Sequence, residues 1–409
     1  AQSNGDVYIC YIAIAPAIIF VALSGVLKGW FLGHGNTTPS GVSQIIEVVT
    51  KLALGLLFVR LLAPRGVMYS VAGALIAVGV SEFIELVMLF IWYMSSAKQE
   101  RALPKLAPEG KFFSTFLPIT ASGLIFPLIA FVDSIMVVNL LRLGGEIDGV
   151  SQYGILTGPV ASIINMPIVL AMSISVAIVP AIASAMAGYD VVSVKQKTAT
   201  TIKMCFMISM PFFLGGCIMS GKVVAALYPS LGEDHRQLTA YLLSLTSINI
   251  VVLSMLEVLD AILQGLGRLR SVLVNIAIGG AVKIIFELIL VPKIGIAASG
   301  ISSIVFYIIA FCLNGVYYNK LVGKNAKLFK SISKISLAGV IMSLSLLPGI
   351  FIGNSFVALA YAVAVGGAVY IGALLALKAV GECEMKMLPL GRKLSKALRR
   401  VGYYKGDAL

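Results

Sequence analysis

Lys51 and Lys283 each stand midway along an apolar run long enough to cross a membrane, at matching places in two halves of the chain that repeat one another. An ammonium near a bilayer centre costs about 3 kcal/mol or more, so it persists mainly where it faces a polar cavity or a partner. Two such charges related by internal symmetry point to a central pathway for something anionic, which is the chemistry of transport. Each lysine also has a carboxylate at helical spacing: Glu47 four residues before Lys51, Glu287 four after Lys283. A lysine neutralised in this way can exchange its partner for a phosphate as a point-charge donor, so pairing and anion binding are compatible.

The remaining intramembrane charges read as gates or cation sites. Lys28 and Asp260 correspond under the same internal shift, both toward the cytoplasmic end. Lys28 serves an inner gate or snorkels to the interface. Glu82 with Glu85, and Glu257 with Asp260, are like-charge pairs three apart on one helix face. Buried carboxylates so close rarely both ionise: one keeps a proton, binds a cation, or pairs with a base from another helix. Asp133, toward the outer part of its span near Asn139, is the leading single carboxylate for Na+ or H+ coupling. Lys222 lies nearer the outer interface, within snorkelling reach.

These residues need membrane spans to position them, and the composition supplies them. The chain is 59% hydrophobic and 12% charged, against about 25% charged in ordinary soluble domains. A mean hydropathy of +0.99 leaves no room for a large soluble domain. Eleven spans of roughly 20 apolar residues or more are expected: 8–33, 40–62, 66–94, 112–140, 154–187, 199–228, 239–266, 271–291, 296–319, 335–352 and 355–377. The expectation is an all-α polytopic membrane protein.

A net charge of +13 would suit a nucleic-acid partner, but its distribution does not. With the 95–111 connection on the cytoplasmic side, that side carries 22 Lys and Arg and the opposite loops five. This is the positive-inside pattern, and it puts the C-terminus in the cytoplasm. The basic tail around Arg392, Lys393, Lys396, Arg399 and Arg400 suits anionic lipid headgroups. No nucleic-acid partner is expected.

The repeat sets the domain plan. A shift of 232 places Gly33-His34-Gly35 over Gly265-Leu266-Gly267 and Lys51 over Lys283; a slightly smaller one places Ser70-Val71-Ala72-Gly73 over Ala297-Ala298-Ser299-Gly300. The matched segments stand six spans apart and so cross in the same direction, which expects parallel repeats with the cargo site between two bundles. The expected organisation is 1–94 as the last three helices of an N-lobe, 95–111 as a cytoplasmic linker and 112–319 as a six-helix C-lobe. Two extra helices follow at 320–377, then a cytoplasmic tail at 378–409. Eleven helices of fourteen are then expected, with the first three of the N-lobe preceding Ala1.

Nothing in the chain reads as catalytic. The five cysteines form no CxxC pair, and His34 and His235 lack the neighbours of a metal or catalytic site. The glycine clusters follow no strand and complete no Walker or dinucleotide pattern. No cofactor, metal site or enzyme activity is expected.

The run Leu27-Lys28-Gly29-Trp30-Phe31-Leu32-Gly33, with Thr38-Pro39 and Ser43-Gln44-Ile45-Ile46-Glu47, resembles the Arg-Gly-Tyr-Phe-Gln-Gly…Pro…Ser-Gln-x-x-Glu signature of the stage V sporulation protein B group. That group belongs to the multidrug/oligosaccharidyl-lipid/polysaccharide (MOP) flippase superfamily. Leu117-Pro118-Ile119, Asp133-Ser134, Leu263-Gln264-Gly265-Leu266-Gly267, Val282-Lys283 and Leu388-Pro389-Leu390-Gly391 extend the resemblance in family order. Lys28 and Trp30 replace the usual Arg and Tyr. Segment 154–187 lacks the cavity arginine of some lipid II flippases.

The resemblance implies a two-lobed MOP/MATE-like helical bundle in a bacterial cytoplasmic membrane. It also implies alternating access and movement of lipid II-like, polyprenyl-diphosphate-linked saccharides, with membrane lipids and the cell-wall synthesis machinery as partners. Lys51, Lys283, Lys28, Glu47 and Glu287 are the expected substrate-cavity residues. Asp133, Glu257, Asp260, Glu82 and Glu85 are the expected cation-coupling residues. The main alternative is a cation-coupled multidrug antiporter of the same fold, whose cavity would present carboxylates. A non-transporting scaffold or lipid scramblase is a third reading.

Overall fold

The computed structural model describes residues 4–34, 36, 38–97, 109–146, 148–323 and 326–381, and all regular structure among them is helical. Most of the 95–111 linker lies outside the described residues, as do the basic tail from 382 on and the motif at 388–391. The chain separates into two compact units, Ala1–Pro108 and Glu109–Leu409.

Unit 1 is built from α1 (Asn4–Gly33), α2 (Thr38–Leu62) and α3 (Val67–Ala97). Helix α3 is its hub: α1 and α2 both pack along it and barely touch one another. Its face toward them carries small and apolar groups, Ala72, Ala77 and Leu89, interrupted by buried Ser81, Glu82 and Glu85. The α2–α3 reversal uses a short 3-10 turn, Ala63–Arg65, ended by Gly66 at φ +115, a backbone state that glycine adopts without strain. A Cβ on Gly73 would meet Leu62 at 2.7 Å, so that glycine lets the start of α3 lie against the end of α2.

Unit 2 begins with α4 (Glu109–Leu143) and a continuous span formed by α5 (Gly149–Ile155), a π turn (Leu156–Val160) and α6 (Ala161–Ala187). Pro159 lies in the π turn; its ring removes a backbone donor, and the wider turn accommodates the missing bond. Next come α7 (Val191–Leu227), α8 (Glu233–Thr246) and α9 (Ile248–Gly265). The single span expected at 239–266 is thus divided at Ser247. The membrane-length apolar part is α9, while α8 opens on Glu233, Asp234, His235 and Arg236.

The chain continues with α10 (Leu269–Ile294), α11 (Ala297–Leu321), α12 (Ala326–Ile350), α13 (Ser355–Tyr361) and, past a second π turn, α14 (Gly367–Ala376). Val258, Leu259, Ile262 and Leu263 make α9 the buried centre of unit 2, packed by α6, α7, α10 and α11. Gly265 allows the closest α9–α6 approach: a Cβ there would stand 2.9 Å from the Val179 carbonyl oxygen. Helix α12 packs on α7 and α14 on α12, with Met207, Met210, Ile335, Met342 and Tyr370 in one apolar cluster among them.

Among the described residues, ten helices are long and apolar enough to cross a membrane. The expected eleventh, 40–62, is present as α2 over its whole length. Glu47, Lys51 and Arg60 dilute its apolar character, and two of those three belong to the charged cluster described next.

Candidate functional site: two charged clusters inside the spans

Two of the expected site lysines sit in unit 1. Lys51 on α2 contacts Glu47 one turn earlier, and its Nζ stands 3.6 Å from Glu82 Oε1 on α3. Lys28 on α1 reaches Glu85 Oε1 on α3 at 2.7 Å, and the Ser43 hydroxyl of α2 donates to that oxygen at 2.9 Å. One carboxylate oxygen from each of Glu47, Glu82 and Glu85 lies within 4.8 Å of the others. All three helices of the unit therefore meet in one cluster of two ammoniums and three carboxylates.

Burial orders these charges. The Glu85 side chain is fully buried, and those of Glu47 and Glu82 are 11% exposed; Lys28 is 28% and Lys51 37% exposed. Acids lie inside and bases outside. Glu85 Oε2 is buried with no hydrogen-bond partner among the described residues. An orphaned buried carboxylate oxygen is costly and calls for a cation or donor.

Unit 2 holds the counterpart. Lys283 on α10 contacts Asp133 on α4, and its Nζ is 3.7 Å from Glu287 Oε1 one turn along α10. Ser299 of α11 donates to the same Glu287 oxygen at 3.1 Å. Here the base is enclosed as fully as the acids: Lys283 is 7%, Asp133 9% and Glu287 0% exposed. The glycine pair beside it explains the closure. A Cβ on Gly279 would meet the Phe306 ring of α11 at 2.8 Å, and one on Gly280 would meet Ile129 of α4 at 2.6 Å. Both neighbours therefore close onto α10 one turn before the lysine.

Asp133, expected as a lone cation-binding carboxylate, is the cross-helix partner of Lys283. Asp260 belongs to a separate polar chain: Asn314 of α11 donates to it, and Asn275 of α10 donates to Asn314 at 2.6 Å. Glu257, one turn earlier on α9, is half-buried. Lys222 donates to the Ile352 carbonyl at 2.7 Å. Residue spacing makes the i,i+4 pairs legible, whereas Ser43 and Ser299 enter the sequence reading only as members of a motif and a repeat, and Asn275 and Asn314 carry no sequence signal. Uncharged polar residues are frequent in such spans, and only their opposing helices give these four a role.

The helices and the charges set inside them mark a multi-pass membrane protein. The model of a family described as polysaccharide biosynthesis protein matches residues 5–186. The chain is similar to Stage V sporulation protein B of Bacillus subtilis (strain 168), 25% identical over 393 residues that cover 93% of this chain and 75% of that protein. It is also similar to lipid II flippase MurJ of the same strain, 23% identical over 385 residues, 88% of this chain and 70% of that one.

Among solved structures, an inward-closed lipid II flippase MurJ superposes with a TM-score of 0.65 at 15% identity, covering 89% of this chain and 72% of that one. An inward-facing MATE family transporter of the MOP superfamily gives 0.63 at 15% identity, covering 79% and 72%. The matched family model, the relatives and the solved structures thus agree on a likeness to polysaccharide-biosynthesis membrane proteins and flippases, and the two structures share the fold.

Proposed function

We propose that this chain flips a polyprenyl-diphosphate-linked saccharide across the bacterial cytoplasmic membrane by alternating access, with its C-terminus in the cytoplasm. The observation that carries this reading is the layering in unit 1, where the accessible charges, Lys28 and Lys51, are basic and the carboxylates lie behind them. A diphosphate presents several acceptor oxygens and more than one negative charge, which suits two ammoniums. A cation antiporter of the same fold would present the carboxylates outward, the reverse of this order. The similarity to a lipid II flippase supports a lipid II-like cargo. Lys283 holds Asp133 and Glu287 together, and anion contact falls to the unit 1 lysines.

The test is flipping of a fluorescent lipid II analogue in proteoliposomes. The Lys28→Gln, Lys51→Gln double variant is expected to lose flipping at least tenfold while inserting normally. Wild-type rates in that variant would remove the basic pair from the mechanism. An inactive wild type that takes up cationic drugs instead would favour the antiporter.

A further inference from the structure

One motif is left without a role by the two charged clusters: Leu388-Pro389-Leu390-Gly391, in the segment that follows Gly381. Charge divides that segment in two. Residues 382–391 carry Glu382, Glu384 and Lys386 among Met385, Met387, Leu388 and Leu390, whereas residues 392–400 carry five Lys and Arg and no acid. The basic part suits lipid headgroups. The part before it is acidic and apolar, and Pro389 and Gly391 oppose the continuous amphipathic helix that would lie on a membrane. It calls for an apolar surface with a basic rim.

Unit 2 has such a surface. Helices α6, α9 and α11 end on the face where α7, α10 and α12 begin, and a pocket opens among those ends. Met186 of α6, Val191 and Val194 of α7 and Leu266 of the α9–α10 turn form its walls, closed by Leu321 and Val322 at the end of α11. Arg268 is the single charge in the lining. Lys195 adds a second base, its Nζ 3.1 Å from a Cβ built on Gly323, the residue after Val322. Lys195, Lys197 and Lys203 in the first turns of α7 set those turns outside the hydrocarbon. Met186, Val191 and Leu321 are nonetheless exposed there, and a contiguous apolar patch in water marks an interaction site.

The two lie within reach of one another. Gly339 of α12 packs against Met210 of α7, where a Cβ would stand 3.0 Å from the methionine side chain. Val194 stands sixteen residues before Met210, about 24 Å of helix. Lys334, five residues before Gly339, donates to the Lys378 carbonyl at 3.3 Å, so the chain leaves α14 about 16 Å short of the level of Val194. Met385 to Leu390 lie five to ten residues past Val380, about 17–33 Å of extended chain. We propose that residues 382–390 dock in this pocket as a tethered ligand. The methionines and leucines lie against Val191, Leu266 and Leu321, and Glu382 and Glu384 face Arg268 and Lys195. Tethering raises the local concentration to about the millimolar range, so a weak contact suffices. The docked segment joins the α6–α7 turn to the α9–α10 turn and braces that end of unit 2, whatever the cargo.

The test is disulfide formation in the full chain in nanodiscs of neutral lipid, with Cys383→Ser removing the segment's own thiol. Leu388→Cys is expected to cross-link to Val191→Cys at least tenfold faster than to Gln196→Cys, an exposed position on the same helix outside the pocket. Arg268→Glu is expected to slow the favoured cross-link severalfold, and Glu382→Lys with Glu384→Lys to restore it, a recovery that a misfolded variant would not show. Equal rates at positions 191 and 196, or rates indifferent to charge reversal, would overturn the docking. Nanodiscs containing phosphatidylglycerol test the rival occupant. An unchanged preference for position 191 supports the segment, whereas its loss would give the pocket to anionic lipid and overturn the proposal.

Discussion

The clusters around Lys51 and Lys283 start from the same position in the repeat and end in opposite states. Lys51 lies at the rim of unit 1 with its acids behind it, while Lys283 is walled in with Asp133 and Glu287. The internal shift shows where they diverge. Position 279, a glycine in unit 2, corresponds to Glu47 in unit 1; position 55, a glycine in unit 1, corresponds to Glu287 in unit 2. Each half thus places its carboxylate one turn from the lysine, but on opposite sides of it. Where unit 2 has Gly279-Gly280, the neighbouring helices press in and bury the lysine. At the same register unit 1 has Glu47-Val48, and nothing lies within 4 Å of a Cβ built on Gly55. A small exchange of glycine for glutamate therefore separates an accessible charge from a sealed one.

The largest test of this contrast is to remove each lysine. Lys283→Ala leaves two buried carboxylates without their cation and is expected to cost about 3–5 kcal/mol, read as a large drop in thermal midpoint in detergent. Lys51→Ala, which removes a side chain that is 37% exposed, is expected to cost less, about 1 kcal/mol. Adding Asp133→Asn and Glu287→Gln to Lys283→Ala is expected to restore much of the loss, because the uncompensated charges go with the lysine. Equal midpoints for the two alanine variants would erase the distinction.

Function should follow the opposite order. Lys28→Gln with Lys51→Gln is expected to lower lipid II analogue flipping at least tenfold, about 1.4 kcal/mol, with a smaller loss of midpoint than Lys283→Ala. Flipping lost only when stability is lost would make both clusters structural.

The glycines sharpen the comparison further. Gly279→Ala drives a methyl into the Phe306 ring and is expected to cost about 1–3 kcal/mol, the usual penalty of overpacking. Gly55→Ala meets open space and is expected to be neutral or to stabilise by up to about 1 kcal/mol through helix propensity. The same midpoints report both. Ser43→Ala and Ser299→Ala, each removing one hydroxyl donor from Glu85 or Glu287, are expected to cost about 1 kcal/mol each. Similar losses would mean that the two clusters use their serines alike despite their different exposure.

Much of this is legible in the sequence. A lysine in the middle of an apolar run is conspicuous because membrane insertion penalises it, and a glutamate four residues away is within helical reach by geometry alone. Asp133, Glu82 and Glu85 are conspicuous for the same reason; spacing leaves Glu82 and Glu85 open between a cation and a base from another helix, and the structure supplies those bases as Lys51 and Lys28. Asp133 lies 150 residues from Lys283, a distance over which spacing carries no information about contact. The break at Ser247 was equally hidden: 239–266 is apolar enough on average to pass for one span.

Composition and spacing alone mark a membrane-spanning chain: apolar runs of membrane length, a repeat that sets two lysines in register, and an acid one helical turn from each. Those properties are local, set by composition and the 3.6-residue period. Helix packing sets which charges meet and which remain exposed. Pairing across α1, α2 and α3, or across α4 and α10, depends on how closely the helices approach. That approach turns on a few glycines whose missing side chains matter only against the neighbour that fills the space.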